Sequence, residues 1–332
     1  MSNLIERLGH AFGRDTLGLL VLLALTVGAF GLLSPMFLTA ANFNSIAFQL
    51  PDLGLLTLAM LAPILSGGIN LAIIAIANLS GLTLAWFLNM NGGAQAGVFA
   101  FVGGAAAAIF VGGASGAAMG VTIAYFGAHP ILASLAMMIF LQGLGEFLTR
   151  GGDISGFPDF VGVFGHGEFL GVPVPMLVFI AAAIVWHVLL ARTRHGFAAA
   201  MIGSNPRASE YSGIAVKRSL TTVYALSGAM CALAGILMLT RFNSVRVGHG
   251  DALMLVTVLA CFLGGVDPFG GFGRVAPVFL SLLILQTLSS GLNLIGANQH
   301  LSTAVWGLFL VAVMVLRSTT PTLRAMLKSV RR

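Results

Sequence analysis

Charged residues are scarce in this chain of 332 residues: Asp, Glu, Lys and Arg together make up 8% of it, against about 25% in soluble domains. Hydrophobic residues make up 58%, and the mean hydropathy is +1.00. Such a composition excludes a soluble globular protein. Apolar runs of roughly 17 to 25 residues, the length that a helix needs to cross a bilayer, follow one another from Leu17 to Leu316.

Motifs for catalysis and metal binding are also missing. The sequence has no HExxH, CxxC or GxSxG, and its two lysines, Lys217 and Lys328, lack the glycine-rich approach of a P-loop. Its two cysteines, Cys231 and Cys261, lie in apolar runs, where a thiol behaves as a small hydrophobic group. We therefore expect no catalytic residue, no metal site and no cofactor bound by this chain.

The apolar runs predict an all-α, polytopic transmembrane bundle of about ten spans. Gly112, Gly113 and Gly116 interrupt the longest run and suggest that this span is tilted, kinked or flanked by a surface helix. The predicted spans are 17–34, 53–66, 70–89, 97–126, 131–149, 173–191, 219–240, 252–266, 275–294 and 301–317.

The basic residues predict the orientation of this bundle. With both termini in the cytoplasm, thirteen Lys and Arg fall inside and three, Arg150, Arg241 and Arg246, fall outside, as the positive-inside rule requires. Because the basic residues lie between apolar runs and form no patch, they do not indicate nucleic-acid binding. The chain then divides into a cytoplasmic segment 1–16, a permease domain 17–317 with a cytoplasmic loop 192–218, and a basic cytoplasmic tail 318–332.

Polar residues inside the predicted spans are the candidates for a solute pathway. Such groups must face protein or water, because an unpartnered polar group in hydrocarbon is costly. Hydrogen bonding between packed helices is one interpretation. The other is a polar lining for a neutral, hydroxylated solute, since amides outnumber charges here. The pathway candidates are Asn70, Asn78, Gln142 and Asn293, and Glu146 and Gln286 lie within or at the ends of spans as well.

Two short glycine-containing stretches resemble each other. "LSGGINL" begins at Leu65 and "LGGVDPF" begins at Leu263, but six or seven residues are too few to establish an internal repeat. The glycines of the first stretch permit either a tight hairpin or a broken helix at membrane depth, and broken helices often line transporter sites.

A polar stretch, "TRHGFAAAMIGSNPRASEYSGIAVKRSL", runs from Thr193 to Leu220 on the predicted cytoplasmic side. Ser204 or Asn205 is suited to cap a short helix with Pro206 in its first turn, and Gly213 is suited to end it about two turns later. One interpretation is a connector whose arginines hold the topology. However, a connector needs few residues, and this length favours a helix that docks into a groove of a partner.

Several ordered blocks resemble the ribose-type permeases, which are membrane subunits of ATP-binding-cassette importers for monosaccharides. The blocks are "HGFAAAMIGSNPRASEYSGI" from His195, "HPILASLAMMIFLQGLGEFLTRGG" from His129, and "FLGGVDPFGGFGRV" with "LSSGLNLIG" between Phe262 and Gly296. The resemblance implies the fold of a type II importer permease in the bacterial inner (plasma) membrane. It also implies a second permease copy or paralogue, cytoplasmic ATPase subunits that hold ATP and Mg, and a periplasmic or extracellular solute-binding protein.

In this family the cytoplasmic loop carries the coupling helix on which the ATPase acts. The matched motif assigns Gly203, Asn205, Ala208, Gly213 and Ile214 to the framework of that helix. Pro206 joins them as the first-turn residue, and Arg207 and Glu210 join them on charge alone.

Two departures from the family leave the solute open. The family's "GGIDLS" reads "GGINLA" here, so that Asn70 replaces an Asp, and "ELDAIAA" reads "MLVTVLA" from Met254. Both departures remove acidic groups. A sugar, a nucleoside, a polyol and a furanose-type signal all remain candidates. A stand-alone secondary transporter or channel is the rival class, although it would need an ion-coordinating or titratable group deep in a span. A scaffold that transports nothing is the third.

Overall fold

The computed structural model describes residues 14–298, 301–302, 304–309 and 311–312. The first part of this range forms twelve α-helices, and the residues described after 300 are helical as well. The helices are α1 Arg14–Leu33, α2 Ala40–Leu65, α3 Ile73–Met90, α4 Val98–Phe126, α5 Pro130–Thr149, α6 Asp159–His166, α7 Val174–Arg192, α8 Arg194–Ser204, α9 Pro206–Tyr211, α10 Val216–Phe242, α11 Leu253–Leu263 and α12 Val275–Leu294.

Four two-residue strands lie in the connections. Strand β1, Ile154–Ser155, pairs antiparallel with β4, Ser244–Val245. Strand β2, Glu168–Phe169, pairs antiparallel with β3, Val172–Pro173. Both pairs lie at the end of the bundle where α10 ends.

Eight of the described helices are long and apolar enough to cross a membrane, namely α1 to α5, α7, α10 and α12. Helices α2, α3 and α10 are mostly buried and form the centre of the bundle. Helices α1, α4, α5 and α7 surround them and expose large apolar side chains, which in a membrane contact lipid or protein. The predicted all-α transmembrane bundle is therefore confirmed.

Glycines bring α4 and α10 into backbone contact. Gly112, Gly116 and Gly120 recur every fourth residue on one face of α4, and Gly228 of α10 packs against this face. A Cβ atom on Gly120 would lie 2.8 Å from the Cα atom of Thr221. Small residues at this spacing allow close helix contact in membranes. The helix is continuous over 29 residues and its glycines serve close packing. Of the three alternatives predicted for this run, the flanking surface helix does not occur within Val98–Phe126.

An interior proline of α2 is compensated by α10. Pro63 has no N–H, so the carbonyl of Ala59 lacks its usual donor four residues ahead. The Ser227 hydroxyl of α10 donates to that carbonyl at 2.8 Å. Neighbouring helices commonly satisfy backbone groups that proline frees in membrane spans, and here the repair also fixes how α2 and α10 pack.

Two predicted spans need correction. The span predicted at 53–66 begins at Ala40, with the Thr39 hydroxyl capping it by accepting from the Asn42 N–H. The span predicted at 252–266 is α11, which has 11 residues and a length of about 16 Å, too short for a hydrocarbon core of about 30 Å. The last predicted span, 301–317, is helical where it is described. Most of the 1–16 segment and the whole 318–332 tail lie outside the described residues.

The two ends of the bundle differ in charge. One end holds the start of α1, the end of α2, helices α8 and α9, and the starts of α10 and α12, because Leu65, Gly203 and Gly271 are in contact there. Described basic residues at this end are Arg14, Arg192, Arg194, Arg207, Lys217, Arg218 and Arg274, whereas Arg150, Arg241 and Arg246 lie at the opposite end. We call these the α9 end and the β4 end.

Candidate functional site

The short helix predicted after Asn205 is present as α9. The Asn205 side-chain oxygen accepts from the Ala208 N–H at 3.0 Å, and Pro206 occupies the first turn. Gly213 has a φ of +82°, and the Ile214 N–H donates to the Ser209 carbonyl at 3.0 Å. This is the left-handed ending that favours glycine. Both capping predictions are confirmed, whereas α8, the 11-residue helix before α9, was not predicted.

Helix α9 stands on the surface with most of its side chains free. Arg207, Ala208 and Glu210 are exposed, whereas Ser209 is fully buried and its hydroxyl bonds to the Asn205 carbonyl at 2.9 Å. Tyr211 is 93% exposed at the end of the helix. Tyrosine is enriched at protein interfaces and hot spots, so Tyr211 is a partner-contact candidate that charge-based reasoning missed.

A cavity of about 580 Å³ opens beside α9. Arg194, His195 and Arg218 line it together with Gly213 and Ile214. Basic side chains around an open cavity favour acidic groups of a partner. The structure therefore places two predicted coupling residues next to a basic recess.

Three chain segments meet through glycines at the α9 end, and we call this contact the glycine junction: Leu65–Gly67, Gly203 and Gly270–Gly271. The Gly271 N–H donates to the Leu65 carbonyl at 2.9 Å. A Cβ atom on Gly270 would lie 2.6 Å from the Gly67 nitrogen and 2.9 Å from the Gly203 Cα atom. Real Cβ atoms essentially never come within 3.0 Å, so the backbones themselves are in contact.

The glycine junction connects α9 to two other segments of the chain. Gly203 lies in the last turn of α8, two residues before the Asn205 cap of α9. Gly67 follows the end of α2, and Gly270 lies in the turn that joins α11 to α12. The chain therefore links α9, through Gly203, to backbone contacts with both segments. Sequence reasoning identified Gly203 from its motif but did not bring these three glycine stretches together.

The segment 66–72 is not a tight hairpin but a seven-residue interruption between α2 and α3. Helix α2 ends at Leu65, a turn follows, and a buried, non-helical stretch leads to α3. Asn70 of this stretch is fully buried; its amide nitrogen donates to the Ser227 hydroxyl at 3.0 Å, and its oxygen accepts from the Ala72 N–H at 3.0 Å. These contacts match the interhelical interpretation, and a role of Asn70 in the solute pathway stays a prediction.

Asn78 holds the loop between α10 and α11. In the orientation that satisfies both parts of its amide, its oxygen accepts from the N–H groups of Gly248 and His249 at 3.1 and 3.2 Å. Its nitrogen donates to the His249 carbonyl at 3.1 Å. The chain thus folds back beside α3 before α11 starts. Irregular backbone of this kind inside a transporter is tolerated where protein covers it or a cavity adjoins it.

The other two pathway candidates lie apart from Asn70 and Asn78. Gln142 is half-buried on α5. Asn293 is exposed near the end of α12 and lines a cavity of about 250 Å³ at the β4 end. Glu146 is exposed near the end of α5, and Gln286 is buried on α12 and bonded to Gln49 of α2.

An ion pair between buried Asp52 and half-buried Arg241 joins α2 to α10. The Arg241 guanidinium bonds to the Asp52 carboxylate and donates to the Phe48 carbonyl at 3.0 Å. The second oxygen of Asp52 is buried without a hydrogen-bond partner. Asp52 was missed because it directly precedes the predicted start of the span at residue 53. The available signal was that the mainly apolar sequence continues on both sides of Pro51 and Asp52, which indicates a span that begins earlier.

The two similar glycine stretches end their helices in the same way. After α2 and after α11, three successive amides donate to carbonyls four, three and five residues back. Gly67 and Gly265 occupy equivalent positions with φ of +83° and +87°. Many helices end like this, so the match extends the sequence similarity to geometry without establishing a repeat.

No group of three or more His, Cys, Asp or Glu that could hold a metal ion occurs among the described residues. These features are a membrane-crossing bundle, irregular backbone inside it, and an exposed capped helix, α9, which follows the Gly203 contact of α8 with the segments at Gly67 and Gly270. Together they define a multi-pass membrane permease. Residues 42–316 match the model of a family described as branched-chain amino acid transport system / permease component, and the chain belongs to this family.

Curated relatives cover nearly the whole chain. The chain is 31% identical to the D-allose transport system permease protein of Escherichia coli over 304 residues, 91% of either chain. It is 33% identical to the ribose import permease protein of Bacillus subtilis over 306 residues, 90% of either chain. It is 29% identical to an autoinducer 2 import system permease protein of Salmonella typhi over 313 residues, 92% of this chain and 91% of the relative. No solved structure matches the chain.

Proposed function

We propose that this chain is the translocation subunit of an ATP-binding-cassette importer and carries a sugar or a sugar-like neutral solute across the inner membrane. A partner subunit hydrolyses the ATP, and this chain contributes no catalytic residue. The observation that carries the proposal is α9, a capped, exposed helix at the most basic end of the bundle. It starts three residues after Gly203 of α8, whose backbone contacts the segments at Leu65–Gly67 and Gly270–Gly271.

The distribution of basic residues supports an orientation of the permease with the α9 end in the cytoplasm. Seven described basic residues lie at the α9 end and three at the β4 end, so the positive-inside rule favours a cytoplasmic α9. Both termini then lie in the cytoplasm. This agrees with the predicted division into a cytoplasmic segment 1–16, a permease domain 17–317 and a cytoplasmic tail 318–332. Helix α9 and its basic recess would meet a cytoplasmic ATPase that carries ATP and Mg. The β4 end would meet an external solute-binding protein.

The coupling residues divide by role. Asn205, Pro206 and Gly213 set the shape of α9, and Gly203 sets its attachment. Ala208 donates its N–H to the cap, and Ile214 closes the last turn. Arg207 and Glu210, with Tyr211, present the exposed side chains that an ATPase would contact.

The solute class follows from relatives and from composition. The named relatives are permeases of D-allose, ribose and autoinducer 2 systems. The polar groups of the bundle are mainly amides and hydroxyls, which suit hydroxyl-rich neutral solutes. A nucleoside, a polyol or a furanose-type signal would use the same chemistry. The partners proposed with it are a second permease copy or paralogue, the ATPase, the solute-binding protein and the bilayer, with no nucleic acid.

The test is ATP-dependent uptake into proteoliposomes that contain the chain, its ATPase and its solute-binding protein. Gly213→Val should abolish uptake, because a β-branched residue cannot adopt its φ of +82°. Gly156→Val is the matched control, since Gly156 also has φ of +83° and open space around it but lies at the β4 end. Normal uptake by Gly213→Val would contradict the coupling role. Uptake driven by an ion gradient without the ATPase would indicate a stand-alone transporter instead.

A further inference from the structure

A second cavity at the α9 end, which we call the α7 groove, lies between α7, α8 and the start of α12. Its volume is about 510 Å³. None of the described residues of α9 lines it, so the coupling role proposed for α9 does not account for it. The residues that define it are His187, Leu190 and Ala191 of α7, Phe197 of α8, and Arg274 and Val275 where α12 begins.

The α7 groove adjoins the lipid-facing side of α7. Ile184 and Val188 of this helix are exposed, as apolar residues that face lipid are. Ile184 lies three residues before His187, and Val188 lies three residues before Ala191, so the members of each pair are neighbours on the helix surface. The wall of the groove is therefore continuous with the surface that contacts hydrocarbon.

An aromatic contact joins α7 and α12 on the side of the groove toward the β4 end. Phe179 of α7 stacks on Phe279 of α12 with ring centroids 5.7 Å apart. Phe179 comes about two turns before His187, and Phe279 comes about one turn after Val275. The groove is therefore a recess of limited depth that opens where both helices reach the α9 end.

Arg274 gives the groove a positive charge. Its side chain is exposed, and its guanidinium lies 5.6 Å from the centroid of the Phe272 ring. Among the described residues Arg274 has no carboxylate partner, and no acidic residue lines the groove. His187 adds a ring N–H that donates a hydrogen bond in either protonation state. An anionic group is therefore the charged ligand that this groove favours.

Apolar walls lie next to this charge. Leu190 and Val275 line the groove, and Phe197 and Phe272 are 63% and 51% exposed beside it. Exposed phenyl rings are unfavourable in water but suit the boundary between lipid headgroups and hydrocarbon. Basic pockets between membrane helices on the cytoplasmic side bind anionic headgroups. The groove also lies within the roughly 300–1,000 Å³ range of ligand pockets, so it holds a headgroup with the start of an acyl chain.

We propose that the α7 groove binds an anionic phospholipid of the cytoplasmic leaflet. Its phosphate would lie at Arg274 and His187, and an acyl chain would follow Leu190 toward the hydrocarbon. Leu65 and Gly271, whose hydrogen bond belongs to the glycine junction, line the same groove. A bound lipid would therefore lie against the junction and support it. Lipid binding requires only the proposed orientation, whereas an effect on uptake rests on the proposed function.

Native mass spectrometry of the purified full-length chain tests the site. The delipidated chain is mixed with phosphatidylglycerol or with phosphatidylcholine of the same acyl chains, and the fraction that carries one lipid is measured. The unaltered chain should prefer phosphatidylglycerol. Arg274→Gln should lower the affinity for it about fivefold, the contribution of one basic residue near a membrane surface. Arg150→Gln is the matched control, because Arg150 is exposed at the β4 end.

A second variant fills the groove without removing charge. Ala191→Trp should weaken binding of phosphatidylglycerol, whereas Ala181→Trp, at another exposed position of α7, should not. Thermal unfolding verifies that each variant keeps its fold. Unchanged lipid binding by both Arg274→Gln and Ala191→Trp would overturn the site. Full displacement of the lipid by inorganic phosphate would overturn it in favour of a soluble anion. Unchanged lipid binding with loss of ATPase co-purification by Arg274→Gln would overturn it in favour of a protein contact.

Uptake measurements separate this proposal from the proposed function. The importer is reconstituted in phosphatidylcholine with and without phosphatidylglycerol, and ATP-dependent uptake of radiolabelled D-ribose and D-allose is measured. Phosphatidylglycerol should raise the uptake rate, and Ala191→Trp should remove that increase while Ala181→Trp keeps it. Equal uptake in both lipids would overturn the support of the junction. Absence of uptake in both lipids would overturn the proposed sugar function and leave the lipid site standing, because binding is measured on the chain alone.

Discussion

Replacing Gly203 with Ala tests the glycine junction with the smallest possible change. A Cβ atom at this position would lie under 3.0 Å from the Leu65 carbonyl oxygen and from the Gly271 nitrogen, and 3.1 Å from the Gly270 carbonyl carbon. All three are backbone atoms, so no side-chain rotation relieves the overlap. The three segments must therefore move apart, and the Gly271–Leu65 hydrogen bond is stretched or lost.

The magnitude follows from opposing contributions. Overpacking costs about 1–3 kcal/mol, and the weakened hydrogen bond adds about 0.5–1.5 kcal/mol. Alanine is favoured over glycine in a helix by about 0.5–1 kcal/mol, which offsets part of this cost because Gly203 is helical. We expect a net loss of about 0.5–4 kcal/mol in unfolding free energy, with a lowered melting temperature.

Gly203→Ala should lower the uptake rate by more than the loss of unfolding free energy alone would explain. If α9 acts through the junction, Gly203→Ala should retain ATP hydrolysis by the assembled importer while uptake falls sharply. Gly143→Ala is the control, because a Cβ atom there meets nothing within 4 Å and should leave stability unchanged or slightly raised. Thermal unfolding in detergent and proteoliposome uptake measure both effects. An unshifted melting temperature together with normal uptake would refute the contact-based reasoning.

Two further predictions concern buried polar groups. Ser227→Ala removes the donor to the Ala59 carbonyl and the acceptor of the Asn70 amide, so we expect thermal unfolding to show a loss of about 2–5 kcal/mol in unfolding free energy. Ser115→Ala is the control and should change stability little, because the Ser115 hydroxyl bonds within its own helix. Equal shifts in melting temperature for the two variants would contradict the bridging role of Ser227. Asp52→Leu leaves the half-buried Arg241 without its carboxylate and should lower the unfolding free energy by about 1–3 kcal/mol. Adding Arg241→Met should recover much of that loss, and a double variant no more stable than the single one would count against the ion pair.

Local signals in the sequence predicted local structure well. The Asn205, Pro206 and Gly213 pattern predicted α9, because capping and left-handed glycines act within a few residues. Apolar runs predicted the peripheral spans, since lipid-facing helices are apolar on most of their surface. The start of α2 was missed because Asn42, Gln49 and Asp52 interrupt the apolar pattern, and their partners on α10 and α12 are distant in sequence.

Contacts between distant segments were beyond the reach of pattern reasoning. The stretches at Gly67, Gly203 and Gly270 each read as an ordinary turn or helix end, and only folding brings their backbones together. The hydrogen bonds of Asn78 to the loop before α11 likewise join residues that are distant in sequence. Nothing in the apolar run at 252–266 indicates those bonds.

Helix α2 connects the α9 end of the bundle to the β4 end. Its last residue accepts the Gly271 hydrogen bond at the glycine junction. Over 26 residues the helix extends about 39 Å, and it is bonded to α10 by Ser227 and by the Asp52–Arg241 pair. If α9 is displaced as the proposed function requires, the glycine junction would transmit that displacement to the end of α2 next to Pro63, and an interior proline is where a helix bends most easily.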